Sequence, residues 1–136
     1  MADLPGFNQT PARTEAAIPA RAIVAKELAD LLGAVAHPHR VRILVELRDR
    51  ELDVNSIQEI LGISHSAVSQ NLAVLRSHRL VRERRDGRHV FYSLADKAMA
   101  GWLLQGVGFL EGGLSRAGEM RDVVEDARGL WQDRKS

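Results

Sequence analysis

The fold is decided by residues 62–75, which read GISHSAVSQNLAVL. Ser64 carries the short side-chain oxygen that caps helix N-termini, so a helix is predicted to start directly after it. Val68, Leu72 and Leu75 then recur at spacings of four and three residues, which places them on one face of that helix. This face is predicted to turn towards the core.

A second short helix is predicted just before this one. Either Asn55 or Ser56 is expected to cap it, and apolar residues recur at helical spacing between residues 57 and 61. Gly62 is the kind of residue that ends a helix, because it adopts left-handed backbone angles without steric cost. Residues 62–64 therefore form a tight turn between two short helices, which is the pattern of a helix-turn-helix.

Two strands are predicted to follow, at residues 80–85 and 89–94, which are rich in β-branched, aromatic and arginine residues. The dipeptide Asp86-Gly87 between them is a strong two-residue hairpin signal. Residues 51–54 are predicted to form a further, brief strand. The predicted fold class is mainly α: a winged helix-turn-helix with a two-stranded β-hairpin wing.

The N-terminal part of the chain divides into an arm and a helical region. Residues 1–18 contain two prolines and a glycine and show no helical or strand period, so they are predicted to form a flexible arm. Helical apolar spacing begins at residue 19, and Pro38 suits the first turn of a further helix. We assign the winged helix-turn-helix domain to residues 19–98 and a short tail to residues 132–136.

Residues 99–131 are predicted to form one or two C-terminal helices. Their apolar residues recur at alternating spacings of three and four residues, which is typical of a helix that packs on another helix. Glycines interrupt this pattern, and each costs roughly 0.5–1 kcal/mol in a helix interior. Either two helices meet near the pair Gly112-Gly113, or the glycines let a partner helix approach closely, with a bend at the pair. We favour the partner helix. The glycines are Gly101, Gly106, Gly108, Gly112, Gly113 and Gly118.

The exposed side of the helix after Ser64 carries short polar side chains and no carboxylate, so it can enter a DNA groove that is lined with phosphates. Gln70 is the best candidate for a paired hydrogen bond to adenine. The arginines after this helix are expected to hold backbone phosphates, and those at the hairpin tip to reach a neighbouring groove. The predicted DNA-contacting residues are Ser64, His65, Ser66, Ser69, Gln70, Asn71, Arg76, Arg79, Arg84, Arg85 and Arg88.

Charge supports this interpretation locally but not globally. The net charge of the chain is only +1, whereas residues 76–89 hold six arginines against two carboxylates. Such a cluster alone is as typical of a solvated hairpin face as of a nucleic-acid contact. A glycine turn, an acid-free polar helix face and an arginine-tipped hairpin within about 30 residues together favour double-stranded DNA as the partner.

Composition excludes several other classes. A chain of 136 residues predicts one domain, and no apolar run approaches the roughly 20 residues that cross a bilayer. The N-terminus lacks the features of a secretion signal, so a cytoplasmic protein without membrane contact is expected. The absence of cysteine excludes disulfides and thiolate metal sites. No nucleophile, base and orienting group form a recognisable set, so we do not expect an enzyme.

Three runs of sequence resemble the ArsR/SmtB family of bacterial winged-helix repressors: AHPHRVRIL at 36–44, ISHSAVSQNL at 63–72 and RRDGRHVFY at 84–92. The similarity covers residues 28–96. It implies a homodimeric repressor that pairs through its first and last helices and binds a palindromic operator. The residues expected at the dimer interface are Ile23, Leu28, Leu31, Met99, Leu103, Val107, Leu110 and Leu114.

The inducer sites of that family do not carry over to this chain. Asp53-Val54-Asn55 stands where members with a thiolate site have Cys-Val-Cys, and Asp96 alone remains of the aspartate and histidine set in the last helix. His37 and His39 flank Pro38 and are expected to pack at a helix junction. The resemblance therefore implies no bound metal or cofactor, and either an unknown small-molecule inducer or none.

Two other functions stay open on the sequence. The chain fits a winged-helix module that binds proteins and has lost DNA binding, and, less well, a metal sensor with an atypical site. Salt dependence separates the first of these from a DNA-binding regulator, because phosphate contacts release counterions.

Overall fold

A computed structural model describes the backbone of residues 5–110 and 117–133, and the side chains of residues 19–110 and 122–131. The chain forms two compact units, one with the first helix up to Ala34 and one with everything from Val35 onward. The elements are α1 (Pro5–Val35), α2 (Pro38–Glu46), β1 (Leu52–Asp53), α3 (Val54–Leu61), α4 (His65–Ser77), β2 (Val81–Asp86), β3 (His89–Leu94), α5 (Ala98–Gly106) and α6 (Ala117–Asp133).

Helices α3 and α4 form the predicted helix-turn-helix. Val68, Leu72 and Leu75 are at most 1% exposed, as their spacing predicts. Ser64 Oγ accepts a hydrogen bond from the Ala67 amide at 3.1 Å and so caps α4. Gly62 ends α3 at a φ of +70°, a left-handed conformation that suits glycine. We call α4 the recognition helix from here on.

The cap of α3 differs from the prediction of Asn55 or Ser56. The first helical residue is Val54, so the capping position falls one residue earlier, on Asp53. One carboxylate oxygen of Asp53 accepts from the Ser56 amide at 2.8 Å. Aspartate is among the strongest N-capping residues, because its oxygen satisfies a backbone donor that has no partner in the helix.

The sheet has three antiparallel strands in the order β1-β3-β2, one more than the predicted hairpin. The brief strand expected at residues 51–54 is β1, and it joins the sheet by pairing Leu52 with Tyr92 of β3. Strands β2 and β3 with their turn form the wing. Its two-residue loop is Gly87-Arg88, one residue later than the predicted Asp86-Gly87, because Asp86 pairs with His89 across the strands.

The chain ends also differ from the predicted pattern. Helical backbone begins at Pro5, so much of the segment predicted as an arm is helical, and α1 continues through Pro11 and Pro19. Proline lacks an amide hydrogen and costs a helix one hydrogen bond, which is why the sequence suggested an interruption there.

In the C-terminal part, α5 ends at Gly106 and α6 begins at Ala117. The pair Gly112-Gly113, where a joint or bend is predicted, lies outside the described residues. A Cβ atom placed on Gly101, Gly106 or Gly108 would meet nothing within 4 Å, so these glycines serve no close packing within the described part of the chain. None of the described helices is long and apolar enough to cross a membrane.

Candidate nucleic-acid interface

The recognition helix presents the polar face that its sequence predicts. His65, Ser66, Ser69 and Gln70 are all exposed, and α4 contains no carboxylate. Short hydroxyl, amide and imidazole side chains can donate to and accept from base edges, and no acidic residue of this helix repels phosphates. The geometry of α4 is therefore suitable for a DNA groove.

Asn71 does not belong to this face, although we predicted it as a DNA contact. It is only 8% exposed. Its amide nitrogen donates to the Ala67 carbonyl at 2.8 Å, and its amide oxygen accepts from Arg40 of α2 at 3.2 Å. The helical spacing could have predicted this burial, because Asn71 is three residues from Val68 and four from Leu75, which are both buried. Asn71 fixes the recognition helix to α2.

Arg76 is exposed at the end of α4 but is held by the wing. Its guanidinium lies 3.0 Å from the carboxylate of Glu83 on β2. Tyr92 donates its hydroxyl hydrogen to the same Glu83 oxygen at 3.3 Å. Burial, and then the Glu83 charge, raises the pKa of the Tyr92 hydroxyl. This group of three links the recognition helix to two strands of the wing.

Arg79 ends the recognition helix in an unfavourable conformation. Its φ is +60°, and it is the one non-glycine residue with a positive φ among the described residues. The amide of Leu80 donates to the Leu75 carbonyl at 2.9 Å, and that of Arg79 to the Arg76 carbonyl at 2.9 Å. This is the Schellman arrangement, in which glycine usually occupies the position of Arg79. The Arg79 side chain is exposed.

Arg84 anchors the wing rather than extending from its tip, contrary to the prediction. Its Nε and Nη2 atoms donate to both carboxylate oxygens of Glu51, at 2.9–3.2 Å. Its guanidinium also lies 4.8 Å from the centre of the Phe91 ring. The hydrogen bonds from Arg84 lower the pKa of the Glu51 carboxyl. Sequence could not show this pair, because its members are 33 residues apart.

The two other predicted wing residues, Arg85 and Arg88, are exposed. Arg85 stands opposite Val90 in the sheet register and Arg84 opposite Phe91, so these neighbouring arginines lie on opposite faces of the hairpin. Within the part of the chain that the structure describes, neither Arg85 nor Arg88 takes part in an ion pair. Both guanidinium groups are available to an anionic partner.

His37 and His39 serve the helix junction, as predicted. The Nδ1 atom of His37 accepts a hydrogen bond from the His39 amide at 3.1 Å and caps α2, with Pro38 in the first turn. The two rings lie 5.0 Å apart. Among the described residues, no three histidine, aspartate or glutamate side chains come together to hold a metal ion.

The predicted dimer residues in and just after α5 are only partly exposed. Met99, Leu103 and Val107 are half-buried, and Leu110 is 39% exposed. The reason is that α5 lies against α2 of its own unit, which covers part of the seam. Leu114 lies outside the described residues. The most exposed large apolar residues here are two that we did not predict, Trp102 at 47% and Phe109 at 75%.

From residue 19 onward, where its side chains are described, helix α1 exposes most of its apolar residues. Ile23 and Leu28 of the predicted interface are 63% and 47% exposed, and Leu31 is half-buried. Val24 and Leu32 are exposed as well. Large apolar side chains that remain in water at helical spacing are typical of a surface that a partner covers.

Comparison with known proteins gives a consistent picture. Residues 37–83 match the family described as bacterial regulatory protein, arsR family. The transcriptional repressor SmtB homolog of Synechocystis is 46% identical over 72 residues, which are 53% of this chain and 54% of that protein. The HTH-type transcriptional regulator NmtR of Mycobacterium tuberculosis is 40% identical over 88 residues, which are 65% of this chain and 73% of that protein.

Solved structures agree with the sequence matches. HlyU from Vibrio cholerae superimposes with a TM-score of 0.56 and 39% identity, over 60% of this chain and 91% of that one. Mycobacterium tuberculosis Rv0081 gives a TM-score of 0.61 and 35% identity, over 68% of this chain and 93% of that one. The chain spans about half the length of the first curated relatives that it matches, 54% and 52%.

Proposed function

The chain belongs to the arsR family of bacterial regulatory proteins, and we propose that it regulates transcription as a homodimer that binds a palindromic DNA operator. The observation that carries this proposal is the acid-free, exposed polar face of the recognition helix, together with the exposed Arg85 and Arg88 of the wing. Repression is the expected outcome, since the matched relatives include named repressors.

Gln70, Ser66 and Ser69 read base edges in this proposal. They are exposed on one side of α4, and an amide can pair with both a donor and an acceptor of adenine. Arg79 holds a backbone phosphate at the end of the same helix, and Arg88 carries charge from the wing turn to a neighbouring groove. The exposed part of Arg76, which is 55% of its side chain, lies beside them.

A second copy of the chain covers the apolar surface in this proposal. A palindromic operator needs two recognition helices about one DNA turn apart, which one copy cannot supply. The exposed apolar residues of α1 offer one area for such a contact, and Trp102 of α5 with Phe109 and Leu110 after that helix offers another. The glycines of α5 have open space where a Cβ would stand, so a partner helix has room to approach closely.

The regulator acts in the cytoplasm in this proposal, because chromosomal DNA is its partner. Its signal is either a small molecule that is not bound through thiolates or none, because the chain has no cysteine. Activation is the second candidate outcome. One relative, from Vibrio cholerae, is named as the transcriptional activator HlyU and is 45% identical over 65 residues.

The decisive experiment is selection of bound fragments from sheared genomic DNA, followed by measurement of affinity against salt. We expect an inverted repeat to be enriched, and log K to fall linearly with log salt because bound arginines release counterions. The matched variants are Arg88→Ala, which should lower the slope by about one unit, and Gln70→Ala, which should leave the slope unchanged. No enrichment and no salt-dependent binding would instead favour the protein-binding module.

A further inference from the structure

A polar cleft separates the start of the recognition helix from the turn of the wing. It has a volume of about 220 Å³, and polar groups from three elements line it: Asp53 and Asn55 at α3, His65 at α4, and Arg88 and His89 at the wing turn. Both α4 and the wing border this cleft. A duplex that contacts both of them must therefore pass its sugar-phosphate backbone across it.

The carboxylate in the cleft already has its partners. One oxygen of Asp53 accepts from the Ser56 amide at 2.8 Å, and hydrogen bonding to Ser56 lowers the pKa of this carboxyl. The other oxygen lies 3.7 Å from Nδ1 of His89. His89 is 65% exposed, so its ring is open to a ligand although Asp53 lies near it.

Other charged groups around His89 come from every neighbouring element. On the wing, Asp86 is its cross-strand partner, and Arg84 lies 3.9 Å from that carboxylate. Arg88 precedes His89 in the chain. On α4, His65 is the first helical residue and lines the same cleft. His89 is therefore the imidazole of the cleft that lies beside a carboxylate, that of Asp53.

We propose that this cleft binds one phosphate of the DNA backbone through Arg88 and the imidazolium of His89, so that DNA binding takes up a proton. The inference rests on the proposed function. An anion within about 4–6 Å favours the charged form of an imidazole, and histidine is the side chain that changes charge between pH 5 and pH 8. By thermodynamic reciprocity, protonation of His89 strengthens DNA binding.

The test is fluorescence anisotropy at pH 8 and pH 6, with constant salt and a labelled duplex of mixed sequence that is long enough for two half-sites. We expect wild type to bind about threefold to tenfold more tightly at pH 6, since a shift of one pKa unit corresponds to tenfold in affinity. In His89→Gln this difference should fall below about twofold. Arg88→Ala should weaken binding at both pH values.

Two matched controls separate this cleft from general effects of histidine. His78→Gln removes an exposed imidazole at the other end of α4, where Nδ1 lies 3.0 Å from the Val74 carbonyl. His65→Gln removes the second imidazole of the cleft. Both should keep the pH dependence of wild type. Thermal unfolding should be nearly unchanged in His89→Gln, because the ring is largely exposed.

The outcomes are distinct. Equal affinity at both pH values, or a pH dependence that persists in His89→Gln, overturns the phosphate site and leaves the proposed function standing. Loss of the pH dependence in His65→Gln alone would also overturn it. If wild type binds the duplex at neither pH, the proposed function itself fails and the phosphate site fails with it.

Discussion

We expect Arg79→Gly to raise the free energy of unfolding and, at the same time, to weaken DNA binding. Arg79 has a φ of +60° at the end of the recognition helix. A left-handed conformation costs a residue with a Cβ atom roughly 1–2 kcal/mol, and glycine escapes this cost. The greater freedom of glycine in the unfolded chain offsets roughly 0.5–1 kcal/mol of that gain. The expected net stabilisation is about 0.5–1 kcal/mol.

DNA binding should become weaker because the substitution removes an exposed guanidinium at the end of the recognition helix. If Arg79 holds one phosphate, the slope of log K against log salt should fall by about 0.9. Arg79→Ala is the matched control: it keeps the backbone strain and loses the charge. It should match Arg79→Gly in DNA binding but leave the free energy of unfolding within about 0.5 kcal/mol of wild type.

Urea unfolding at one fixed protein concentration, together with anisotropy titrations at several salt concentrations, measures both quantities. A lower free energy of unfolding in Arg79→Gly would refute the strain argument and show that the arginine side chain makes stabilising contacts. An unchanged salt slope in both variants would place Arg79 away from DNA.

Four further predictions follow from other contacts. Gln70→Ala should reduce discrimination between the selected operator and unrelated DNA by roughly 1–3 kcal/mol in competition assays, with little change in nonspecific affinity. Glu83→Gln should release Arg76 and steepen the salt slope by about one unit; an unchanged slope would show that Arg76 does not reach phosphate. Phe109→Glu should give a monomer by light scattering with an intact fold, since the side chain is 75% exposed. Asp53→Ala should cost about 1 kcal/mol at neutral pH by loss of the α3 cap. Because the pKa of Asp53 is lowered below its usual 3.8, that stabilisation is present above this pH and is lost as the pH falls through the folded value, so denaturation curves of the two proteins should converge in acid.

Local patterns were sufficient to predict the helix-turn-helix. Each of its features depends on residues within about one or two helical turns, so each can be predicted from the local sequence. These features are the cap at Ser64, the helix end at Gly62 and the buried face from Val68 to Leu75. The two predictions that were wrong in this region also concern local spacing. Asn71 lies within the buried arc by its spacing, and Asp53 lies one residue before the predicted caps.

Contacts between distant segments could not be predicted in this way. The hairpin signal indicates that two strands pair, but it does not show that β1 adds a third strand at Tyr92. Only that third strand brings Glu51 near enough to hold Arg84. Likewise, the apolar spacing of the C-terminal region shows that α5 has an apolar side, while its contact with α2 decides which part of that side is covered and leaves Trp102 exposed.

These distant contacts connect the recognition helix and the wing at several points. Arg76 joins α4 to β2 through Glu83, and Arg84 joins β2 to the segment before β1 through Glu51. The Asp53 carboxylate connects the cap of α3 with His89 of β3. Each exposed ion pair is worth little alone, but together they constrain the wing relative to α4 from both of its faces.

This bracing bears on how a signal could act on the protein. A switch needs an element with two arrangements of similar free energy, and the cross-linked pair of recognition helix and wing is poorly suited to that role. Within the described part of the chain, several large apolar residues of α1 and Trp102 of α5 are exposed and have no such links. In a homodimer, a ligand that changes the contact between the two copies would alter the distance between their recognition helices. The recognition helix and wing of each copy would keep their structure. Regulation of the proposed operator binding should therefore act on the dimer contact, and Phe109→Glu should abolish binding to the inverted repeat while leaving binding to a single half-site measurable at low salt.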